Sequence, residues 1–253
     1  MQITGNTLLI TGGASGIGRG LAEAFHRLGN QVIIAGRRQA LLDEVAFANP
    51  GMEAIPLDVS DLASLPGWAA KLVARFPALN GLINNAGIMR IENLLDADRA
   101  YAEAEVIVNT NLLAPIRLTT ALLPQLQRQP RATVMNVSSG LAFVPMAITP
   151  TYCAAKAAIH SWTETLRLQL RRTRIEVLEL IPPYVATDLL GRRAAPDPRA
   201  MPLDAFLAEV MEILRTRPEA REIRVGRVEP LRLAEREGRY EAMLQRLNPP
   251  ALS

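Results

Sequence analysis

TLLITGGASGIG, Thr7 to Gly18, is the stretch that decides the fold. Its first four residues are a short apolar run of the kind a parallel strand buries on both faces. The glycines that follow let the chain turn tightly. From Gly16 on, Ile17, Leu21, Phe25 and Leu28 fall on one face of a helix that Gly29 ends. A strand, a glycine-rich turn and a helix in immediate succession bring backbone amides and the positive end of a helix dipole to one point. That point suits a pyrophosphate, with Gly12, Gly16 and Gly18 where the backbone must turn or be approached closely. Without the strand and the helix, the same glycines would be an ordinary tight turn.

Outward from this unit the pattern repeats. QVIIA (31–35), EAIPLDV (53–59), GLIN (81–84), ATVMNVS (132–138) and IEVLELI (175–181) read as buried strands, and amphipathic helical stretches lie between them. Such alternation predicts right-handed crossovers and an α/β fold of Rossmann type, a doubly wound parallel sheet with helices on both faces. Its 253 residues, 49% hydrophobic and 21% charged, predict a single domain over 1–253. LLGRRAAPDPRAMP (189–202), rich in Pro, Arg and Ala, predicts a mobile loop, and with the helix after it a lid over about 184–215. A short strand, EIRVG, and a final helix follow.

Composition excludes several function classes. One cysteine, Cys153, forms no internal disulfide, and the two histidines, His26 and His160, match no zinc-ligand spacing, so no metal is expected. The net charge is +3, and the arginines are scattered with no basic run interleaved with aromatics, so no nucleic-acid partner is expected. No signal peptide and no apolar stretch of spanning length is apparent, which predicts a cytoplasmic protein without a membrane partner.

The second strand ends in Gly36, Arg37 and Arg38, where an NAD-binding unit carries an acid for the ribose 2′-hydroxyl. A guanidinium pairs with a 2′-phosphate that an acid would repel, so NADP(H) is expected in preference to NAD(H). In a chain with 26 arginines and two lysines, a solvated Arg pair is the competing reading. Asp58 can accept from an adenine amino group, although helix capping by Ser60 or Asp61 competes for that turn.

YCAAK places Tyr152 and Lys156 one helical turn apart, roughly 6 Å between β-carbons. An ammonium at that distance, with the positive charge of a nicotinamide, would stabilise a phenolate and bring its pKa from about 10 towards neutrality. Most Tyr-x-x-x-Lys pairs are surface pairs; this one uses a lysine in an arginine-dominated chain and is followed by an apolar helix. Ser139, thirteen residues earlier at a strand's carboxyl end, can hold a substrate oxygen against Tyr152, with Ser138 as its rival. In NTNLLAP, Pro115 lacks the amide that would bond the Asn111 carbonyl, so a kinked helix and a carbonyl free to hold water are expected, a purely structural kink being the alternative.

TGGASGIG, NNAG (84–87), Asn111, NVSSG and YCAAK, in this order and spacing, resemble the short-chain dehydrogenase/reductase family over nearly the whole chain. NVSSGLAFVPMAITPTYCAAKAAIHSWTETLR and ELIPPYVATDLL further resemble its DltE-type oxidoreductases. The resemblance implies a seven-stranded sheet, with Tyr152 as general acid/base, Lys156 as ribose ligand, Ser139 as substrate-oxygen donor and Asn111 as water holder. It implies a cofactor lying on Gly12, Ser15, Gly16, Ile17, Gly18, Arg37, Arg38, Asp58, Val59, Asn85, Ala86, Gly87, Tyr152, Lys156, Pro182 and Thr187. Two departures stand out: Pro183 replaces the usual glycine after the sixth strand, and the usual terminal DGG is absent, so a homodimer is expected and a tetramer is the alternative. The activity implied is carbonyl–alcohol interconversion on a small molecule, in a pocket of Phe143, Met146, Ile148, Tyr184 and Leu189, with Arg90 available to a carboxylate. An NADP-binding redox sensor without turnover, and an epimerase or lyase using the cofactor transiently, are the competing classes.

Overall fold

The computed structural model describes residues 1–191 and 197–249. Seven strands, β1 (Thr7–Thr11), β2 (Gln31–Gly36), β3 (Glu53–Pro56), β4 (Gly81–Asn84), β5 (Ala132–Val137), β6 (Ile175–Ile181) and β7 (Glu222–Arg224), form one parallel sheet in the order β3-β2-β1-β4-β5-β6-β7. The helices are α1 (Gly16–Arg27), α2 (Gln39–Ala48), α3 (Leu65–Arg75), α4 (Ala97–Val108), α5 (Ala114–Arg128), α6 (Pro150–Gln169), α7 (Leu203–Thr216), α8 (Glu229–Arg232) and α9 (Tyr240–Leu247). This is the doubly wound Rossmann-type arrangement the alternation predicts.

Successive strand side chains go to opposite faces. Leu8, Ile10, Val32, Ile34, Met135 and Leu180 pack in one layer with Leu21 and Phe25 of α1 and Phe206 and Val210 of α7. Leu9, Ile33, Leu82, Val134 and Val177 pack in the other, with Leu72 of α3, Leu118 and Leu122 of α5 and Leu166 of α6. Each such buried aliphatic side chain stabilises by about 1.5–3 kcal/mol.

Three expectations change. The third strand stops at Pro56, short of Val59, because Asp58 Oδ1 accepts from the amide and hydroxyl of Ser60 (3.0 and 2.7 Å) and turns the chain out of the sheet. Residues 192–196 of the lid stretch lie outside the described residues. From Leu203 the stretch is core: α7 buries Phe206, Val210, Ile213 and Leu214, and Leu207 fills the space beside Gly20, where a Cβ would lie 2.1 Å from its Cδ1. Finally, Asp98–Arg128 is one helical run long and apolar enough to cross a membrane, contrary to the sequence reading. Pro115 does not break it, since the chain widens into a π turn at Asn109–Leu113. Leu118, Leu122 and Leu126 of its α5 half are buried against the sheet, while Tyr101 and Val106 of its α4 half are exposed.

Candidate active site

The carboxyl ends of all seven strands lie at one edge, and strand order reverses between β1 and β4, so the loops after these two strands part to leave a crevice. Gly12 and Gly16 have φ of 68° and 54°, the left-handed region. A Cβ on Gly12 would lie 2.9 Å from the Cα of Ala86, and one on Gly18 would lie 2.3 Å from the carbonyl oxygen of Gly12. The glycine loop is braced on the segment after β4. Thr11 Oγ1 accepts from the amides of Asn85 and Ala86 (3.1 Å each), and Asn85 Nδ2 donates to the Thr11 carbonyl at 2.9 Å.

At the N-terminus of α1 no side chain caps the helix and no acid occupies the first turn. The hydroxyl of Ser15 instead accepts from Arg38 Nη2 at 2.6 Å, which puts a guanidinium at the rim of the cradle. Amides of Gly16, Ile17 and Gly18 at a helix start with an arginine beside it fit a phosphate group. Thr187 Cγ2 would lie 3.4 Å from a Cβ on Gly16, so the loop after β6 meets the glycine loop across the crevice. Pro182, in that loop, accepts from the amide of Gly140 at 2.9 Å. Burial works to raise the carboxyl of Asp58, but hydrogen bonds from Ser60 and the charge of Arg37 hold it below the usual range. Val59 and Ala86 line one recess with Thr11 and Thr110.

The four predicted catalytic residues meet beside this cradle. Ser139 Oγ accepts from the amide of Leu141 at 3.1 Å and stands near enough to the Tyr152 hydroxyl to pull its pKa down. Its rival, Ser138, faces the carbonyl of Leu180 in β6 instead, at 3.5 Å. Tyr152 and Lys156 are both 5% exposed, and Lys156 Nζ donates to the Val137 carbonyl at 2.7 Å and lies 5.6 Å from the Tyr152 ring centroid. Asn111, in the π turn, makes a reciprocal pair with Ile88: Oδ1 accepts from its amide (2.9 Å) and Nδ2 donates to its carbonyl (2.8 Å). Gly87 fits between them, since a Cβ there would lie 3.3 Å from Asn111 Oδ1 and 3.8 Å from Lys156 Nζ.

Residues 6–197 match the family described as short chain dehydrogenase. The chain belongs to that family. An oxidoreductase named DltE from Bacillus subtilis (strain 168), described as uncharacterized, is 44% identical over 193 residues, 75% of each chain. The NADP-dependent 3-hydroxy acid dehydrogenase of Schizosaccharomyces pombe is 31% identical over 194 residues, 74% of each chain. A short chain dehydrogenase from Burkholderia cenocepacia J2315, solved in complex with NADP, superposes with a TM-score of 0.80 at 25% identity, covering 98% of this chain and 99% of its own.

Within this short-chain dehydrogenase the electrostatics depart from expectation. Burial pushes the Tyr152 phenol up to about 12 against the pull of the Ser139 hydroxyl, and burial lowers Lys156 to about 8 against the charge of Glu179. Desolvation thus outweighs proximity, and the lysine by itself does not acidify the tyrosine. The apolar surroundings also differ. Tyr152 packs with Met89 and Ile107, flanked by Leu141, Met146 and Leu190, whereas Phe143 is turned to His160 and Arg232. Arg90 pairs with Glu103 at 3.6 Å.

Sequence reading missed several residues that hold the site. Glu92 accepts from the amide and hydroxyl of Thr151 (3.1 and 2.5 Å), tying the loop after β4 to the start of α6 just before Tyr152. Asn84 Nδ2 donates to Asn136 Oδ1 and Thr119 Oγ1 (2.8 and 2.9 Å), linking β4, β5 and α5 beneath the crevice. The first asparagine of NNAG and that of NVSSG were in view, but their pairing depends on strand register.

Proposed function

We propose that this short-chain dehydrogenase is an NADP(H)-dependent oxidoreductase that interconverts a carbonyl and an alcohol with Tyr152 as general acid and base. The observation that carries the reading is that Tyr152 and Lys156, both buried, stand one helical turn apart at the sheet's carboxyl edge, with Lys156 Nζ 5.6 Å from the Tyr152 ring centroid and Ser139 alongside. Two neighbouring hydroxyls can both reach one substrate oxygen: Ser139, fixed by the Leu141 amide, donates to it, and Tyr152 Oη delivers or removes the proton. Lys156 brings positive charge to the tyrosine and to the ribose region, and Asn111 in the π turn holds water on the far side of the lysine. When bound, the nicotinamide supplies or accepts the hydride.

The phosphate-binding part falls to Gly12, Ser15, Gly16, Ile17 and Gly18, with Arg37 and Arg38 at the 2′-phosphate and Asp58, Val59, Asn85, Ala86 and Gly87 along the adenosine side. Pro182 and Thr187 face the nicotinamide end. The NADP named for the fission-yeast relative and for the Burkholderia structure supports this choice of cofactor. Arg38→Asp is expected to lower kcat/KM with NADPH by about 10²-fold and to leave that with NADH unchanged or higher, because a charge-assisted contact is replaced by repulsion. Steady-state rates with both cofactors check this.

The Met89, Leu141, Met146 and Leu190 surroundings favour a modestly apolar ketone, aldehyde or secondary alcohol over a carboxylate-bearing substrate. We read the chain as one cytoplasmic domain that forms a homodimer, a tetramer being the alternative. Exposed Leu94, Leu95, Tyr101 and Val106 on α4 and its lead-in offer an apolar surface for self-association. A carbonyl panel run with NADPH and NADH tests the function: net cofactor oxidation supports it, while tight NADPH binding with no turnover favours the sensor.

A further inference from the structure

Beneath the candidate active site, polar side chains form a row across the sheet. Asn84, Asn136, Glu179 and Glu222 are in register on β4, β5, β6 and β7, and side chains in register share a face. The asparagines are satisfied, Asn136 Nδ2 donating to Thr163 Oγ1 of α6 at 2.9 Å. Glu179 is different. It is 0% exposed; its Oε2 lies 2.8 Å from His160 Nδ1, and its Oε1 has no hydrogen-bond partner among the described residues. A carboxylate buried this completely is costly unless an opposite charge matches it.

The charges around it can be sorted by element. From β7, Glu222 is engaged through both oxygens by Arg232 of α8 (2.6 and 3.0 Å) and by Arg224 at 3.4 Å. Ligand atoms of His160, Glu179 and Glu222 lie within 4.8 Å of one another, but the hold of Arg232 on Glu222 makes this an ion-pair cluster and not an open cation site. Near His160, Phe143 packs edge-on at 4.7 Å between centroids and carries the Arg232 guanidinium over its ring. From α6 come His160 and, one turn earlier on the same face, Lys156, with Tyr152 and Cys153 a further turn back. Lys156 is anchored on Val137, the neighbour of the Asn136 that registers with Glu179, and that anchor is a neutral carbonyl.

We propose that Glu179 is a positioning residue for Lys156: its carboxylate, seated by His160 one helical turn away, is the counter-charge that keeps the lysine an ammonium beneath the crevice. The charge on the lysine follows from the packing; its use in turnover rests on the reductase reading above. Burial drives Lys156 towards the neutral amine, and Glu179 opposes that drift. His160, whose pKa is raised by its bond to Glu179, offsets the carboxylate when protonated and leaves it at full strength once neutral.

The chain has two lysines, and the other, Lys71, is exposed, so lysine labelled with carbon-13 at the ε position gives two resonances, one of them an internal reference. In Glu179→Gln the Lys156 titration midpoint is expected to fall by about one pH unit or more while Lys71 stays in place. Glu179→Leu combined with His160→Leu removes the charge without stranding the imidazole and is expected to give the same fall. Glu222→Gln, whose charge Arg232 already matches, is expected to leave Lys156 unmoved. If the reductase reading holds, the alkaline limb of the rate profile moves down by the same amount, since a group needed as its cation is lost at lower pH. A Lys156 midpoint that stays at the wild-type value in both Glu179 variants overturns the proposal. A midpoint that falls with no change in the alkaline limb keeps Glu179 as the counter-charge and instead rejects the lysine's charge as a requirement of turnover.

Discussion

Tyr152→Phe is expected to lower NADPH-dependent carbonyl reduction by about 10³-fold while NADPH still binds. The substitution removes one oxygen atom, and with it the proton donor proposed beside Ser139 in the crevice. The ring keeps its packing against Met89, Ile107 and Ala155, and the cradle around Gly12, Gly16 and Arg38 is untouched. The measurement pairs nicotinamide absorbance under turnover with a fluorescence titration of NADPH. Loss of turnover with unchanged binding is the expected pattern, and turnover within a few-fold of the wild type would remove Tyr152 from the chemistry.

Gly12→Ala is expected to cost about 2–4 kcal/mol of stability and to abolish measurable NADPH binding. Two penalties combine at this residue. Its φ of 68° is strained for any residue with a Cβ, and the new methyl would lie 2.9 Å from the backbone of Ala86, which cannot rotate away. Relief of that clash would separate the glycine loop from the segment after β4 and break the contacts of Thr11 and Asn85 that brace it. Gly67→Ala is the matched control: it lies inside α3 with no neighbour within 4 Å of the new methyl, and is expected to stabilise by about 0.5–1 kcal/mol. Urea denaturation of both variants reads the difference.

These cases mark what can be read from a chain alone. The glycine loop, the strands and the Tyr152–Lys156 spacing are local features, and each is set by a few consecutive residues whose conformational demands are known. Ser139 is legible because a strand's carboxyl end fixes where it stands, and its choice over Ser138 follows once β6 is beside it. The pairing of His160 with Glu179, nineteen positions apart, is invisible until β6 and α6 pack together. Burial is equally non-local. Proximity of Lys156 suggests an acidic phenol, yet Met89 from the loop after β4 and Ile107 from α4, two segments distant in sequence, help to desolvate Tyr152 and reverse the sign. The helix after the proline-rich stretch is legible from its own pattern, but that its Phe206 and Val210 face the core and not a lid depends on packing against the sheet.

Burial pushes the Tyr152 phenol up to about 12, so for it to act as the base of alcohol oxidation at neutral pH the proposed chemistry calls on the positive charge of the oxidised nicotinamide. Ultraviolet difference titration of the phenol, wild type minus Tyr152→Phe, with and without saturating NADP+, measures this directly. The Tyr152 midpoint is expected to drop by about 3 units or more when NADP+ is bound. A midpoint that remains near 12 in the complex would contradict Tyr152 as the acid and base of this enzyme.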